Sequence, residues 1–246
     1  MKMVVYTAIF GDYNELIKQP KYDGVDYVCF TDRPLKENGW NVVVVKPPQR
    51  TDHTRNNRYF KIMPHLFFLE YKYSLYIDGN FILKKNPLEM VKSYLIELPM
   101  ACFDHNQTVR DARNCIYKEY DAIVDLSKKT GQLKDDLKVM KRQIESFRTE
   151  GFPEDYGLIS GGVLLRAHHD KKLISVMEDW WKIVKEQSKR DQLSFNYLAW
   201  KHHFKYQIIP GDIRRKNRFV YYLGKHKSNA KTDVIKYKIK KFLRLN

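Results

Sequence analysis

The sequence predicts an α/β domain with a mainly parallel central sheet flanked by helices. Three observations carry that prediction. Short apolar strands alternate with longer helical stretches along 246 residues, the arrangement that builds parallel sheets. Several strands end on a polar or acidic residue, as 74–77 does at Asp78-Gly79-Asn80 and 27–31 does at Asp32. The apolar runs are all short, so each suits a buried strand or core helix and none is long enough to span a bilayer.

The elements follow in order. Residues 3–10 read as a buried strand, closed by the turn Gly11-Asp12-Tyr13-Asn14. Residues 27–31 and 41–45 are the second and third strands, the latter stopped by Pro47-Pro48. A basic stretch leads into a helix expected over about 57–71. Residues 74–77 form an apolar strand, and 81–83 are expected to pair back on it. Asn86-Pro87 opens another helix, with proline suited to its first turn. Residues 100–103 read as a strand and 109–148 as a charged helical stretch. Residues 158–166 form a strand that contains Gly161-Gly162. Residues 170–189 and 190–201 read as helices, and 206–209 as a late strand. The domain is expected to cover 1–203, with 204–246 as a basic extension.

Composition fits a packed globular chain, with 43% hydrophobic and 14% aromatic residues. The net charge of +16 is concentrated at one end: residues 201–246 hold 14 Lys/Arg against 2 Asp/Glu. Such a tail needs an anionic counterpart, which could be nucleic acid, a membrane or a substrate. Within it, Ile235, Ile239, Phe242 and Leu243 share one helical face and lysines surround the rest. That pattern suits an anionic membrane surface, and equally a terminal helix packed on the domain. Cys29, Cys102 and Cys115 are an odd number without metal-ligand spacing, and no signal-like apolar segment is visible at the N-terminus. The expected location is cytoplasmic, with peripheral contact at the inner membrane face.

In parallel sheets, ligands gather at the carboxyl ends of the strands. Asp78-Gly79-Asn80 is the first candidate there, because aspartate oxygen suits Mg²⁺ or Mn²⁺ bridging to phosphates. The same tripeptide makes a good tight turn, and the two readings are compatible. Asp191 follows Trp180-Trp181 and reads either as a helix-dipole partner or as a general base for an acceptor hydroxyl. Gln192 beside it could bond a sugar hydroxyl. Gly161 and Gly162 permit close backbone approach by a ligand, or a bulge. Arg55, Arg58 and Lys61, spaced by three, could reach diphosphate oxygens or stay solvated. Asp32 is a base or ribose acceptor, or an ordinary turn residue. Phosphate-loop, GxGxxG, HExxH, CxxC and GxSxG patterns are all missing.

Six stretches lie in a telling order: YTAIFGDYN (6–14), CFTD (29–32), RNNRYFKIMPH (55–65), SLYIDGN (74–80), GLISGGVLLRAHH (157–169) and WW followed by RDQLSF (180–195). In sequence and spacing they resemble a glycosyltransferase-like family, first catalogued as a domain of unknown function. It has bacterial and viral members and plant relatives linked to cell-wall and mucilage polysaccharides. The resemblance implies a GT-A-like, Rossmann-type fold in which an Asp-x-Asp-like motif holds Mn²⁺ or Mg²⁺ on a nucleotide sugar. Asp78 would be the first motif carboxylate, and Asn80 stands in place of the second. Thr7, Ala8, Phe10 and Asp12, with Asp32, would hold the nucleoside, and Arg55 and Arg58 the diphosphate. Gly161, Gly162 and Asp191 would line the sugar and acceptor side, and His226 would be a late metal ligand. The implied partners are a nucleotide-sugar donor and a glycan or lipid-linked glycan acceptor, with no nucleic acid expected. Two rival readings are a nucleic-acid-binding module using the basic tail and a glycan-binding domain without catalysis.

Overall fold

The computed structural model describes residues 2–11, 15–49, 51–224, 234, 235 and 237. In these residues the strands are β1 (Met3–Ile9), β2 (Val25–Thr31), β3 (Asn41–Val44), β4 (Tyr73–Ile77), β5 (Phe81–Leu83), β6 (Met100–Asp104), β7 (Ile159–Arg166), β8 (Gln207–Ile209) and β9 (Val220–Tyr222). Seven form the central sheet in the order β3-β2-β1-β4-β7-β6-β8, and β5 pairs with β9 in a separate ribbon. Six of the seven run the same way. Only β7 is reversed, antiparallel to both β4 and β6. The mixed α/β fold and mainly parallel sheet are those the sequence predicts.

The helices are α1 (His53–Ile62), α2 (Pro87–Tyr94), α3 (Ile116–Thr130), α4 (Leu137–Thr149), α5 (Lys171–Glu186) and α6 (Phe195–Lys201). Every residue of β1 is buried, as expected for a strand covered on both faces. Val4, Tyr6 and Ala8 pack toward α1, α3, α4, α5 and α6, through Phe60, Ile123, Ile144, Trp180 and Phe195 among others. Met3, Val5 and Ile9 pack the opposite way, against Met90 and Val91 of α2 and the β5–β9 ribbon. The two faces thus follow from the period-2 alternation of one apolar strand.

Several expectations shift for identifiable reasons. The helix expected over 57–71 starts earlier, because Asp52 accepts from the Arg55 amide and caps its start. It stops at Ile62, because Pro64 cannot donate into a continuing helix. The single stretch expected over 109–148 is two helices, broken at Gly131 with φ +67° and restarted by the Asp136 cap. Residues 190–201 begin with a 3-10 turn, Asp191–Leu193, before α6. β5 does not pair back on β4. Its ladder partner is β9.

The boundary expected at residue 203 also moves. β8 joins the central sheet through β6, and β9 pairs with β5, so the ordered domain runs on to at least Gly224. The basic amphipathic stretch 232–246 falls outside the described residues, apart from Val234, Ile235 and Tyr237. The Tyr237 ring meets that of Tyr221 at 4.8 Å between centroids, tilted by 41°. Among the described residues no helix is long and apolar enough to cross a membrane.

Arg55 ties two helices together. Its guanidinium pairs with Asp52 at the start of α1 and donates to the carbonyls of Val184 (3.0 Å) and Gln187 (2.6 Å) at the end of α5. The last carbonyls of a helix lack partners within it, and a cation suits that end. Arg55→Met is therefore expected to lower stability by about 1–3 kcal/mol in urea unfolding. A change within a few tenths would mean that these bonds add nothing to the fold.

Candidate active site

The carboxyl ends of β1, β2, β4, β6 and β8, with the start of reversed β7, share one rim of the sheet. Neighbouring strands lie about 4.8 Å apart. The polar residues after each strand therefore form a line, from Gly11 and Asp32 through Asp78 and Gly161-Gly162 to His105 and the loop after β8.

The double glycine breaks the ladder at the centre of this line. Cys102 of β6 faces Leu164 of β7, but the next residue, Phe103, faces Ser160. Residues 161–163 thus bulge away from β6 while β4 keeps its hold, with the Asp78 amide donating to the Gly162 carbonyl at 2.9 Å. Neither glycine leaves room for a side chain. A Cβ on Gly162 would stand 2.9 Å from the Phe81 ring and 3.2 Å from Asp78 Oδ2, and one on Gly161 would stand 2.9 Å from Lys61 Nζ.

A cleft of about 180 Å³ opens at the bulge, lined by Asp78, Asn80, His105, Ser160, Gly161, Gly162, Gln192, Arg214 and Tyr222 among others. Three buried polar atoms of its lining residues have no hydrogen-bond partner among the described residues: Asn80 Oδ1, His105 Nδ1 and Ser160 Oγ. Buried polar atoms are nearly always paired in folded proteins, so these three are left for ordered water or for a polar ligand. Arg113 can only donate, so His105 Nε2, 3.3 Å from Arg113 Nη2, is the acceptor and Nδ1 carries the hydrogen. Burial, reinforced by Arg113, lowers the His105 pKa and keeps the ring neutral.

Asp78 is set by its neighbours. The Tyr76 hydroxyl donates to Oδ1 at 2.8 Å, and Asn57 Nδ2 donates to that hydroxyl at 3.2 Å. Burial, with Asp78 beside it, pushes the Tyr76 hydroxyl far up and keeps it a neutral donor. Asp78 Oδ2 faces Gly162 and the cleft. Asn80 donates through Nδ2 to the Gly224 carbonyl at 2.8 Å, which fixes its amide. The outcome is one carboxylate oxygen and one amide oxygen without hydrogen bonds among the described residues, two residues apart. Hard divalent cations take such oxygens and fill the remaining positions with water or phosphate. Among the described residues no group of three His, Cys, Asp or Glu could hold a metal ion alone.

Behind Gly161 lies a second carboxylate, Asp191. It is 3% exposed, pairs with Arg58 Nε at 3.0 Å and contacts Lys61 Nζ. Trp180 Nε1 donates to its backbone carbonyl at 3.0 Å. Burial alone would raise the Asp191 pKa, but Arg58 and Lys61 outweigh it and hold the carboxyl far below the usual range. A carboxylate so stabilised is a weak proton acceptor. Its geometry suits an anchor for α1 and the 3-10 turn more than the general base expected from sequence.

Of the residues singled out in the sequence, Asp78, Asn80, Gly161, Gly162 and Gln192 line the cleft together. Gln192 Nε2 donates to the Ile159 carbonyl at 2.8 Å. Gly79 sits in the tight turn that places Asp78 and Asn80, closed by the Phe81 amide donating to the Asp78 carbonyl at 3.0 Å. Arg58 and Lys61 reach Asp191, one layer behind. Asp32 lies at the far end of the rim, where it accepts from the Gly11 amide at 3.0 Å and faces His53 Nδ1 at 3.5 Å.

Four expected donor contacts are corrected. Thr7 and Ala8 are buried residues of β1, and Phe10, just past its end, is buried and stacks on Phe60 at 5.4 Å, so these side chains face the protein interior. Arg55 is spent on the end of α5 rather than a diphosphate. Asp12 and His226 lie outside the described residues. The sequence reading missed His105 and Ser160. His105 follows β6 as Asp78 follows β4, so the strand-end rule would have reached it, whereas the signal for Ser160 is its place immediately before the double glycine.

The model of the TOD1/MUCI70 glycosyltransferase-like domain matches residues 30–219, a span that includes Asp32, Asp78, the double glycine, Asp191 and Arg214. The Arabidopsis thaliana protein named "Probable hexosyltransferase MUCI70" is 28% identical over 224 residues, covering 79% of this chain and 36% of that protein. Among solved structures, the apo form of the bifunctional glycosyltransferase WbbM aligns with a TM-score of 0.45 at 11% identity, over 84% of this chain and 38% of that one. The chain thus spans little more than a third of either relative. With its family model matched over more than three quarters of its length, the chain belongs to the TOD1/MUCI70 glycosyltransferase-like domain family.

Proposed function

We propose that this domain transfers a sugar, of hexosyl or deoxyhexosyl type, from a nucleoside-diphosphate donor to a hydroxyl of a glycan in surface polysaccharide or glycoconjugate synthesis. The observation that carries the reading is the pair of unengaged oxygens on Asp78 and Asn80 over the double glycine, within a family of glycosyltransferase-like domains. The donor lies along the rim. Its nucleoside sits toward Asp32 and Gly11, its diphosphate at Asp78 and Asn80, and its sugar in the cleft that opens at the Gly161-Gly162 bulge. In the reaction, the acceptor oxygen bonds to the anomeric carbon as its hydroxyl proton passes to water or to the departing phosphate oxygen, the bond from that carbon to phosphate oxygen breaks, and the electron pair leaves with the nucleoside diphosphate. Mn²⁺ or Mg²⁺ held by Asp78 and Asn80 would neutralise the charge that develops there. His105 presents Nδ1–H to an acceptor atom in the cleft, and Ser160 a hydroxyl.

Asp191 acts by position. It neutralises Lys61 and Arg58 and fixes them behind the sugar site, so the cleft floor keeps its shape. The basic, amphipathic pattern of residues 232–246 supports, on sequence grounds, contact with an anionic membrane face near a lipid-linked acceptor.

Thermal unfolding with UDP, GDP, CMP and dTDP, with and without Mn²⁺, tests the donor site. One nucleotide is expected to raise Tm in the presence of metal, by about 2–4 °C per kcal/mol of binding free energy. Asp78→Ala should abolish the shift, and no response to any nucleotide under either condition would overturn the reading. Gly162→Ala should cut donor turnover by about tenfold or more, since the added methyl meets the ring of Phe81 and a carboxylate oxygen. Turnover equal to wild type would show that the donor sugar does not pass over β7. Asp191→Asn should lose about 3–5 kcal/mol of stability, because Lys61 and Arg58 would be left buried without their anion. Full stability with lost turnover would restore Asp191 to the reacting centre.

A further inference from the structure

Beside the first cleft lies a second, larger one of about 510 Å³, with a different charge. Its walls include Arg110, Asp111, Asp212, Arg214, Arg215 and Tyr222, of which Arg214 and Tyr222 also line the first cleft. Both carboxylates here are already engaged. Asp111 accepts from Arg214 Nη1 at 2.9 and 3.0 Å and stands 3.7 Å from Arg113. Asp212 is buried and accepts from the backbone amides of Val109 at 3.0 Å and Arg214 at 2.8 Å, which makes it a loop staple. The guanidiniums of Arg110 and Arg215 have no hydrogen bond or ion pair among the described residues, and both side chains are exposed on loops. The positive charge of this cleft is therefore not cancelled from within.

Position on the rim says which substrate would meet that charge. The donor reading runs from Asp32, beside β2, to the glycines of β7. The second cleft is built on the loops after β6 and β8, beyond the sugar end and farthest from the nucleoside. It joins the first cleft through Arg214 and Tyr222, and Leu223 and Gly224 carry one of its ends back to Asn80, while Arg110 and Arg215, on the loops after β6 and β8, stand on the far side of β7 from the Asp78 turn.

We propose that the second cleft is an acceptor subsite for an anionic saccharide, one that carries a carboxylate or phosphate close to the hydroxyl that receives the sugar. This rests on the glycosyltransferase reading above. Arg110 and Arg215 present planar, multiply donating groups that match both oxyanions. A uronate residue and a phosphate-linked sugar share that chemistry.

Titration calorimetry on the full chain tests the subsite with three probes: a disaccharide ending in a hexuronate, its counterpart carrying a phosphate ester, and the neutral disaccharide. The charged probes are expected to bind about tenfold more tightly than the neutral one, and the tighter of the two names the group. In Arg110→Ala/Arg215→Ala the preference should shrink to about twofold or less, while Arg110→Lys/Arg215→Lys should keep most of it. Equal binding of all three probes to wild type would overturn the proposal even if the alanine variant failed to fold. So would a preference that survives in a folded alanine variant. Nucleotide-dependent thermal shifts on the same wild-type preparation separate the two readings. Nucleotide response without anion preference removes the subsite alone, and anion preference without any nucleotide response removes its assignment as an acceptor site.

Discussion

The structure turns on a buried charge cluster: Asp191 held between Arg58 and Lys61, directly behind Gly161. Burying one of these charges alone would be costly, and together they are tolerable because each finds its partner. The cluster joins α1, which carries both cations, to the 3-10 turn that carries the carboxylate, with the indole of Trp180 bracing the backbone there. β7 must pass in front of it, and only glycine fits that passage. From this follows the ladder break opposite β6, and from the break follows the cleft.

The second carboxylate, Asp78, is handled in the opposite way. Tyr76 and Asn57 hold one oxygen, and the other faces the cleft. Two acidic residues a few strands apart thus have different roles set by surroundings: one satisfied entirely by protein, one left with capacity for a ligand. Along the rim, the same contrast separates Asp212, which staples a loop, from Arg110 and Arg215, which face solvent.

Much of this was legible in the chain. Alternating strands and helices gave the α/β sheet, the strand-end rule pointed to Asp78 and Asn80, the glycine pair marked the start of β7, and Asp191 stood out at the start of a helical stretch after Trp180-Trp181. What escaped depends on pairings at long range. Arg55, Arg58 and Lys61 share a helix and a spacing, yet Arg55 turns to the end of α5 while the other two turn to Asp191. No local pattern distinguishes them, because the partners lie about 130 residues away along the chain. Thr7, Ala8 and Phe10 border a loop in sequence, but β1 is covered on both sides, so their side chains had nowhere to go except the core. β5 looked like the return arm of a hairpin because β9, its real partner, is short and lies within a basic stretch that reads as a tail.

That late partner bears on how the protein is made. Asn80 is fixed by the carbonyl of Gly224, a contact closed across 144 residues, and the cleft takes Ile213, Arg214 and Tyr222 from the same late segment. During synthesis the glycine floor and the Asp78 turn emerge first, with one wall missing. Closing so long a loop adds little entropic cost beyond that of a shorter one, but it cannot happen until the ribosome has released the final strand. Closure of the cleft is thereby tied to synthesis of β9, and a nascent chain that stalls before β9 carries it open on one side.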